Sequence, residues 1–165
     1  MSASEQETLA VPDMADPLPS YIYIARSKIP EAGHGVFTNM HLPKGHDFGP
    51  YKGKWLSIEE FEHIPESSLY VWEVKDYRGN KNRQHGVKLR DNETIGYIDG
   101  EDPRTSNFLR FINHPCSADA ENVQAVQKKD KIHYFATRDI HPGEELYVYY
   151  GPEYSKYLLG IDVRE

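Results

Sequence analysis

The chain has 165 residues, with 26 Asp or Glu against 19 Lys or Arg, a formal charge of −7. Its length suits one core, and 38% apolar with 27% charged residues is ordinary globular usage, so a chain disordered throughout is excluded. The composition also excludes an internal disulfide and a multi-cysteine zinc cluster, because Cys116 stands alone.

No apolar run approaches the roughly 20 residues of a membrane-spanning helix, so no membrane partner is expected. The first residues lack a charged-then-apolar signal, so a reducing compartment is expected. The acidic balance disfavours direct nucleic-acid binding and suits a Lys-rich protein segment.

Residues 1–18 are polar and interrupted by Pro12 and Pro17, and are expected to form a flexible leader, with the folded domain covering 19–165. SYIYIARS reads as a strand, and AGHGVF places Gly33 and Gly35 before an apolar pair. Turn signals crowd LPKGHDFGPYKG. Residues 57–64 suit one or two helical turns capped by Ser57. LYVWEVKD (69–76) and Thr94–Asp99 read as strands. Over 105–113 the spacing of Phe108, Leu109, Phe111 and Ile112 predicts a helix, capped by Thr105 or Ser106 and stopped by Pro115. NVQAVQ and KIHYFATRDI flank a hairpin turn. HPGEE is a turn, ELYVYYG a strand, and PEYSKYLLG a short closing helix. The sum is mostly β with short helices, a β-rich α+β domain without the alternation of a doubly wound sheet.

Three features carry candidate chemistry. Gly33 and Gly35 either make a tight turn or let backbone approach a ligand. In RFINHPC, Asn113 and His114 are either a cap and a surface histidine or a grip on a polar ligand. Zinc held by His114 and Cys116 is disfavoured, since a structural site needs about four ligands, so no metal is expected. A Cys/His nucleophile pair is disfavoured too, because residues two apart seldom meet in the required geometry. The third feature is the 12 tyrosines. Period two puts Leu146, Val148 and Tyr150 on one face, and Ile132, Tyr134 and Ala136 on one face of the strand before it. Such tyrosines either pack a core or line an aromatic channel for an alkyl-ammonium chain.

Together the segments AGHGVF, FGPYKG, LYVWEV, YIDGEDPRTSNFLRFINHPC, ENVQAV and KIHYFATRDIHPGEELYVYYG resemble a SET domain. They are most similar to the PR/SET domains of the PRDM family, over about residues 21–161. The resemblance implies a fold of several small sheets with a pseudo-knot, and a histone-lysine N-methyltransferase that uses S-adenosyl-L-methionine in the nucleus. It implies cofactor contacts from Ala32, Gly33, His34, Tyr70, Asn113 and His114. Tyr150 matches the principal catalytic tyrosine, and Tyr134 and Tyr51 match others lining the lysine channel. Ser67, Ser68, Leu69, Tyr70, Val71, Trp72 and Glu73, with Tyr150, resemble the part that binds the substrate peptide. FGPYKG and YIDGED suggest lysine 4 of histone H3 as the target. Pro115 departs from the family's usual Ser, and the post-SET cysteine cluster is absent. The resemblance also leaves a second expectation, a catalytically silent PR domain serving as a protein-interaction module in transcription regulation.

Overall fold

The computed structural model describes residues 9–65, 69–77 and 93–149. The expected catalytic Tyr150, Ser67, Ser68 and the closing helix PEYSKYLLG lie outside the described residues.

Among the described residues, eight short strands form three small antiparallel sheets. The strands β1 (Ile22–Arg26) and β2 (His34–Thr38) pair with each other. The strands β3 (Asp47–Pro50), β7 (Val123–Lys128) and β8 (Lys131–Ala136) make a second sheet in the order β3-β8-β7. A third sheet, β4-β6-β5, holds β4 (Lys54–Leu56), β5 (Val71–Lys75) and β6 (Thr94–Asp99). The strand alternation works as its chemistry demands: Ile22 and Ile24 of β1, and Ile132, Tyr134 and Ala136 of β8, are all buried. Among the described residues the one α-helix is α1 (Ile58–Glu62), which begins as expected at Ser57. Ser57 and Glu60 form a reciprocal capping box, and this satisfies two backbone N–H groups of a very short helix.

Two expectations need correction. The helix expected over 105–113 is absent. Two 3-10 turns stand there, Pro103–Thr105 and Phe108–Phe111, separated by extended backbone at Ser106 and Asn107. The Ser106 hydroxyl donates to the Lys52 carbonyl (2.6 Å) and the Asn107 amide to the Pro50 carbonyl (2.9 Å). These tertiary bonds pull the backbone out of the helical path. Residues 108–112 are moreover all buried, whereas a surface helix would bury one stripe. The cap is Asp102, not Thr105 or Ser106.

The strand expected in ELYVYYG forms no ladder over 145–149. Its extended backbone is shared among three neighbours, with single bridges Phe37–Glu145, Asn113–Tyr147 and Val123–Val148. The last two are parallel, so the segment threads between residues near 113 and residues near 123. Period two still holds along it, since Leu146 and Val148 are fully buried.

Residues from Ala10 onward contact the rest of the domain. Ala10 meets His34, the Ala15 N–H donates to Ser106, Asp16 pairs with Lys52 at 2.6 Å, and Met14 and Leu18 pack against the core.

Candidate functional site

Three segments far apart in sequence meet where β2 begins. Gly33 adopts φ +75°, a left-handed conformation that suits glycine, and nothing stands near its Cα on the side a Cβ would occupy. The Asn113 side-chain N–H donates to the His34 carbonyl at 2.8 Å, across 79 positions. The His34 ring donates from Nε2 to the Ala10 carbonyl (2.8 Å), a geometry that requires the proton on Nε2. His114 is buried, with its ring 5.2 Å from that of Tyr149. Ala32 is exposed beside this junction, and Cys116 is exposed as well.

Glu145, not anticipated from the sequence, organises the junction from below. It is 3% exposed. Its carboxylate accepts from the Ser27 hydroxyl (2.7 Å), the Lys28 N–H (2.8 Å), the Tyr147 hydroxyl (2.9 Å) and, more loosely, the Asn113 amide (3.4 Å). A buried charge needs such donors. Burial first, and then the Glu145 charge, pushes Tyr147 above the usual tyrosine range. Gly35 is required here for space, because a Cβ would collide with the Glu145 carboxylate and the Ser27 backbone. Buried Asn122 locks the same segment, donating to the Glu145 carbonyl (2.9 Å) and accepting the Tyr147 N–H (2.8 Å). The GEEL motif was the one sequence signal for Glu145. Nothing in the pattern distinguished it from Glu144.

A second cluster is aromatic. Tyr51 and Tyr134 stack with ring centroids 5.7 Å apart, and Trp72 stands edge-on to both, at 6.5 and 6.0 Å. The Trp72 indole donates to the Tyr134 hydroxyl at 2.8 Å, and the Tyr51 hydroxyl donates to the Tyr70 carbonyl at 2.8 Å. Both tyrosines are nearly inaccessible. Burial is the main reason that Tyr51 ionises far above the usual tyrosine range, so it stays neutral. β8 carries Tyr134, the segment after β3 carries Tyr51, and β5 carries Trp72, so the cluster ties the second sheet to the third.

Arg110 connects the two regions and was likewise missed. Its guanidinium lies 4.2 Å from the Tyr70 ring centre and 4.6 Å from that of Phe111. It donates to the carbonyls of Gly100 (2.6 Å) and Glu101 (3.0 Å). Phe111 in turn lies 5.2 Å from the His34 ring. A continuous path therefore runs from His34 through Phe111, Arg110 and Tyr70 to Tyr51. An open cleft of about 380 Å³ beside Trp72 is lined by Gln124, Ala125, Glu121, Thr137 and Tyr149, and so lies between β5 and β7.

Sequence and structure comparisons fit this arrangement. A family model described as the PR domain of PR domain zinc finger protein 2 matches residues 22–160. The chain belongs to the PR/SET domain family of the PRDM proteins. Over 138 residues this PR domain is 36% identical to histone-lysine N-methyltransferase set-17 of Caenorhabditis elegans, covering 84% of the chain and 43% of that relative. It thus spans less than half of that curated relative. The solved methyltransferase domain of human PR domain-containing protein 2 superposes with a TM-score of 0.62 at 25% identity, over 88% of this chain and 92% of that one. The SET domain of RIZ1 tumor suppressor (PRDM2) superposes at 0.60 and 24% identity, over 96% and 93%, which supports the fold. The β-rich SET architecture expected from the sequence is the one observed.

Proposed function

We propose that this PR domain is an S-adenosylmethionine-dependent protein-lysine N-methyltransferase acting on a histone tail, with lysine 4 of histone H3 the favoured target. The observation that carries this reading is the convergence just described. Residues matching the family's cofactor segments (Gly33, His34, Asn113) connect through Arg110 and Tyr70 to residues matching its lysine channel (Tyr51, Tyr134). The naming of set-17 as a histone-lysine methyltransferase supports the same activity here.

The residues present fit the cofactor. The open space over Gly33 lets backbone come close to a ligand, the Asn113 amide holds the His34 backbone beside it, and His114, Tyr70 and Arg110 supply flat surfaces. Ala32, Gly33, His34, Tyr70, Asn113 and His114 would hold it. When bound, S-adenosylmethionine supplies an electrophilic methyl group on a sulfonium.

The protein's remaining task is to hold a neutral lysine amine in line. A free lysine has a pKa of about 10.4, so little of it is neutral at pH 7. An apolar aromatic channel beside a positive charge lowers that value, since desolvation and like charge both disfavour the ammonium. Tyr134 and Tyr51, their hydroxyls already engaged, serve as walls that set channel width and so the number of methyls accommodated. Tyr150 orients the amine. Alignment of this kind contributes several kcal/mol to lowering a barrier.

The peptide adds as a strand to the outer edge of β5, from Leu69 through Glu73, in the manner of β-augmentation. The net charge of −7 suits a basic tail. A nuclear location follows from such a substrate.

The test is mass spectrometry of an unmodified histone H3 tail peptide incubated with the domain and S-adenosylmethionine, with fragmentation to place the methyl. A mass gain on lysine 4 is expected. No gain on this peptide or on whole histones would replace the reading with that of a silent interaction module.

A further inference from the structure

We infer that Gln127 is a register stop for the substrate peptide: its side chain occupies the outer-edge hydrogen-bonding groups of Lys75 and so limits how far a peptide strand can pair along β5. This rests on the methyltransferase reading above and sharpens it, by naming what bounds the peptide at one end.

The two sheets that flank the cleft present their edge strands to each other. β5 is the edge of one sheet and β7 the edge of the other. The ladder parity can be worked out on both. The Gly100 N–H bonds the Tyr70 carbonyl, and the β5–β6 register then assigns Trp72 and Val74 to β6. The N–H and C=O groups of Val71 and Glu73 therefore point to the outer edge. On β7 the Thr137 N–H bonds the Asn122 carbonyl, which assigns residues 124, 126 and 128 to β8 and turns Ala125 and Gln127 outward. An extended peptide on β5 would meet Val71, then Glu73, then Lys75, at the two-residue spacing of an antiparallel or parallel ladder.

At Lys75 the series ends. The Lys75 N–H donates to Gln127 Oε1 (2.9 Å), and Gln127 Nε2 donates to the Lys75 carbonyl (2.7 Å). One side-chain amide thus mimics the backbone of a paired strand residue. Its orientation is determined by chemistry, because only Nε2 can face carbonyls and only Oε1 can face an N–H. A third bond holds it in place, from Nε2 to the Lys129 carbonyl at 2.6 Å in the β7–β8 turn. Lys129 takes φ 56° there, which brings the turn carbonyl within reach. The clasp is therefore part of the hairpin and does not depend on a bound peptide.

The experiment uses the whole chain with a nested series of histone H3 tail peptides, lengthened one residue at a time on either side of the methylated lysine. KM and kcat are measured for the wild type, Gln127→Ala and the near-isosteric Gln127→Met. In the wild type, KM should fall with length and level off at one end where the clasp begins. In both variants that plateau should move outward by about two residues at that end only. The longest peptides should gain about fivefold in KM, the effect of one or two added backbone hydrogen bonds, while kcat stays unchanged. Amide exchange at Lys75 without peptide should speed up in both variants, and this shows that the clasp is open in a folded protein. Identical length profiles in folded variants that exchange Lys75 faster would overturn the inference. A wild type that methylates none of these peptides would overturn the methyltransferase reading itself, a different outcome from an unmoved plateau.

Discussion

The aromatic cluster and the Glu145 junction lie in one small domain and are held by opposite means. Around Tyr51, Tyr134 and Trp72, three rings touch across two sheets and their polar tips pair as neutral groups. Around Glu145, four donors, from Ser27, Lys28, Asn113 and Tyr147, converge on one buried carboxylate. The first region packs two tyrosine rings and an indole into a nearly inaccessible cluster beside the cleft at Trp72, and on the proposed reading these rings flank the lysine stem. The second centres on a carboxylate that is 3% exposed, flanked by an open pocket of about 160 Å³ lined by Lys28, Asn122 and Tyr147. Its role is to bring the Gly33 loop, the Asn113 segment and residues 145–148 to one place. On the proposed reading chemistry and positioning are separated, and substitutions in the two regions should fail differently.

Glu145→Ala should have the largest effect on stability, about 3 kcal/mol or more in urea unfolding, since it leaves several inward-facing donors without an acceptor. Loss of that carboxylate at less than about 1 kcal/mol would mean the junction is held by packing alone. Gly35→Ala should cost about 1–3 kcal/mol, because its Cβ collides with the same carboxylate. The double substitution should cost less than the sum of the two, as the collision with the carboxylate disappears and only the tight contact with the Ser27 backbone is left. Trp72→Phe should cost about 1 kcal/mol through the lost donor to Tyr134. Its clearer signature should be an altered ratio of mono- to di- and trimethylated product in the peptide spectrum.

The smallest effect concerns pH. Burial holds His46 below the usual histidine range, partly opposed by the Asp47 charge. Its neutral form is therefore favoured by folding, while the ring contacts Tyr21 and Phe48. This stability is present above the unfolded pKa of about 6.5 and is lost as pH falls through the lower folded value. His46→Gln should flatten the acid side of a melting-temperature profile and leave the neutral side unchanged.

The elements with a local cause were legible in the sequence. β6 has the bounds expected, Thr94–Asp99, because its alternating pattern is bounded by turn residues. α1 was legible from Ser57, because a cap is a local device. The failures were at tertiary crossings. The apolar spacing of 108–112 is helical, but carbonyls at Pro50 and Lys52 claim the side chains of Asn107 and Ser106. ELYVYYG has strand alternation without strand partners, because three separate segments share its backbone. Period two put Tyr134 on a buried face, while Tyr51 was singled out by resemblance alone. Glu145, Asn122 and Arg110 were not found, because a buried polar residue has no pattern of its own until its partners are known. Gln127 is the same case, an ordinary strand residue until Lys75 stands opposite.

The central claim, that the aromatic region handles the lysine and the junction handles the methyl donor, is tested most directly by Tyr150→Phe. Turnover on the H3 peptide and donor affinity by calorimetry would be measured on the same preparation. A kcat reduced by about 100-fold, roughly the effect of removing one well-placed hydrogen-bonding group at the reacting atoms, with donor Kd within about twofold of wild type, is the predicted result. Full turnover, or a donor affinity lost together with turnover, would contradict it.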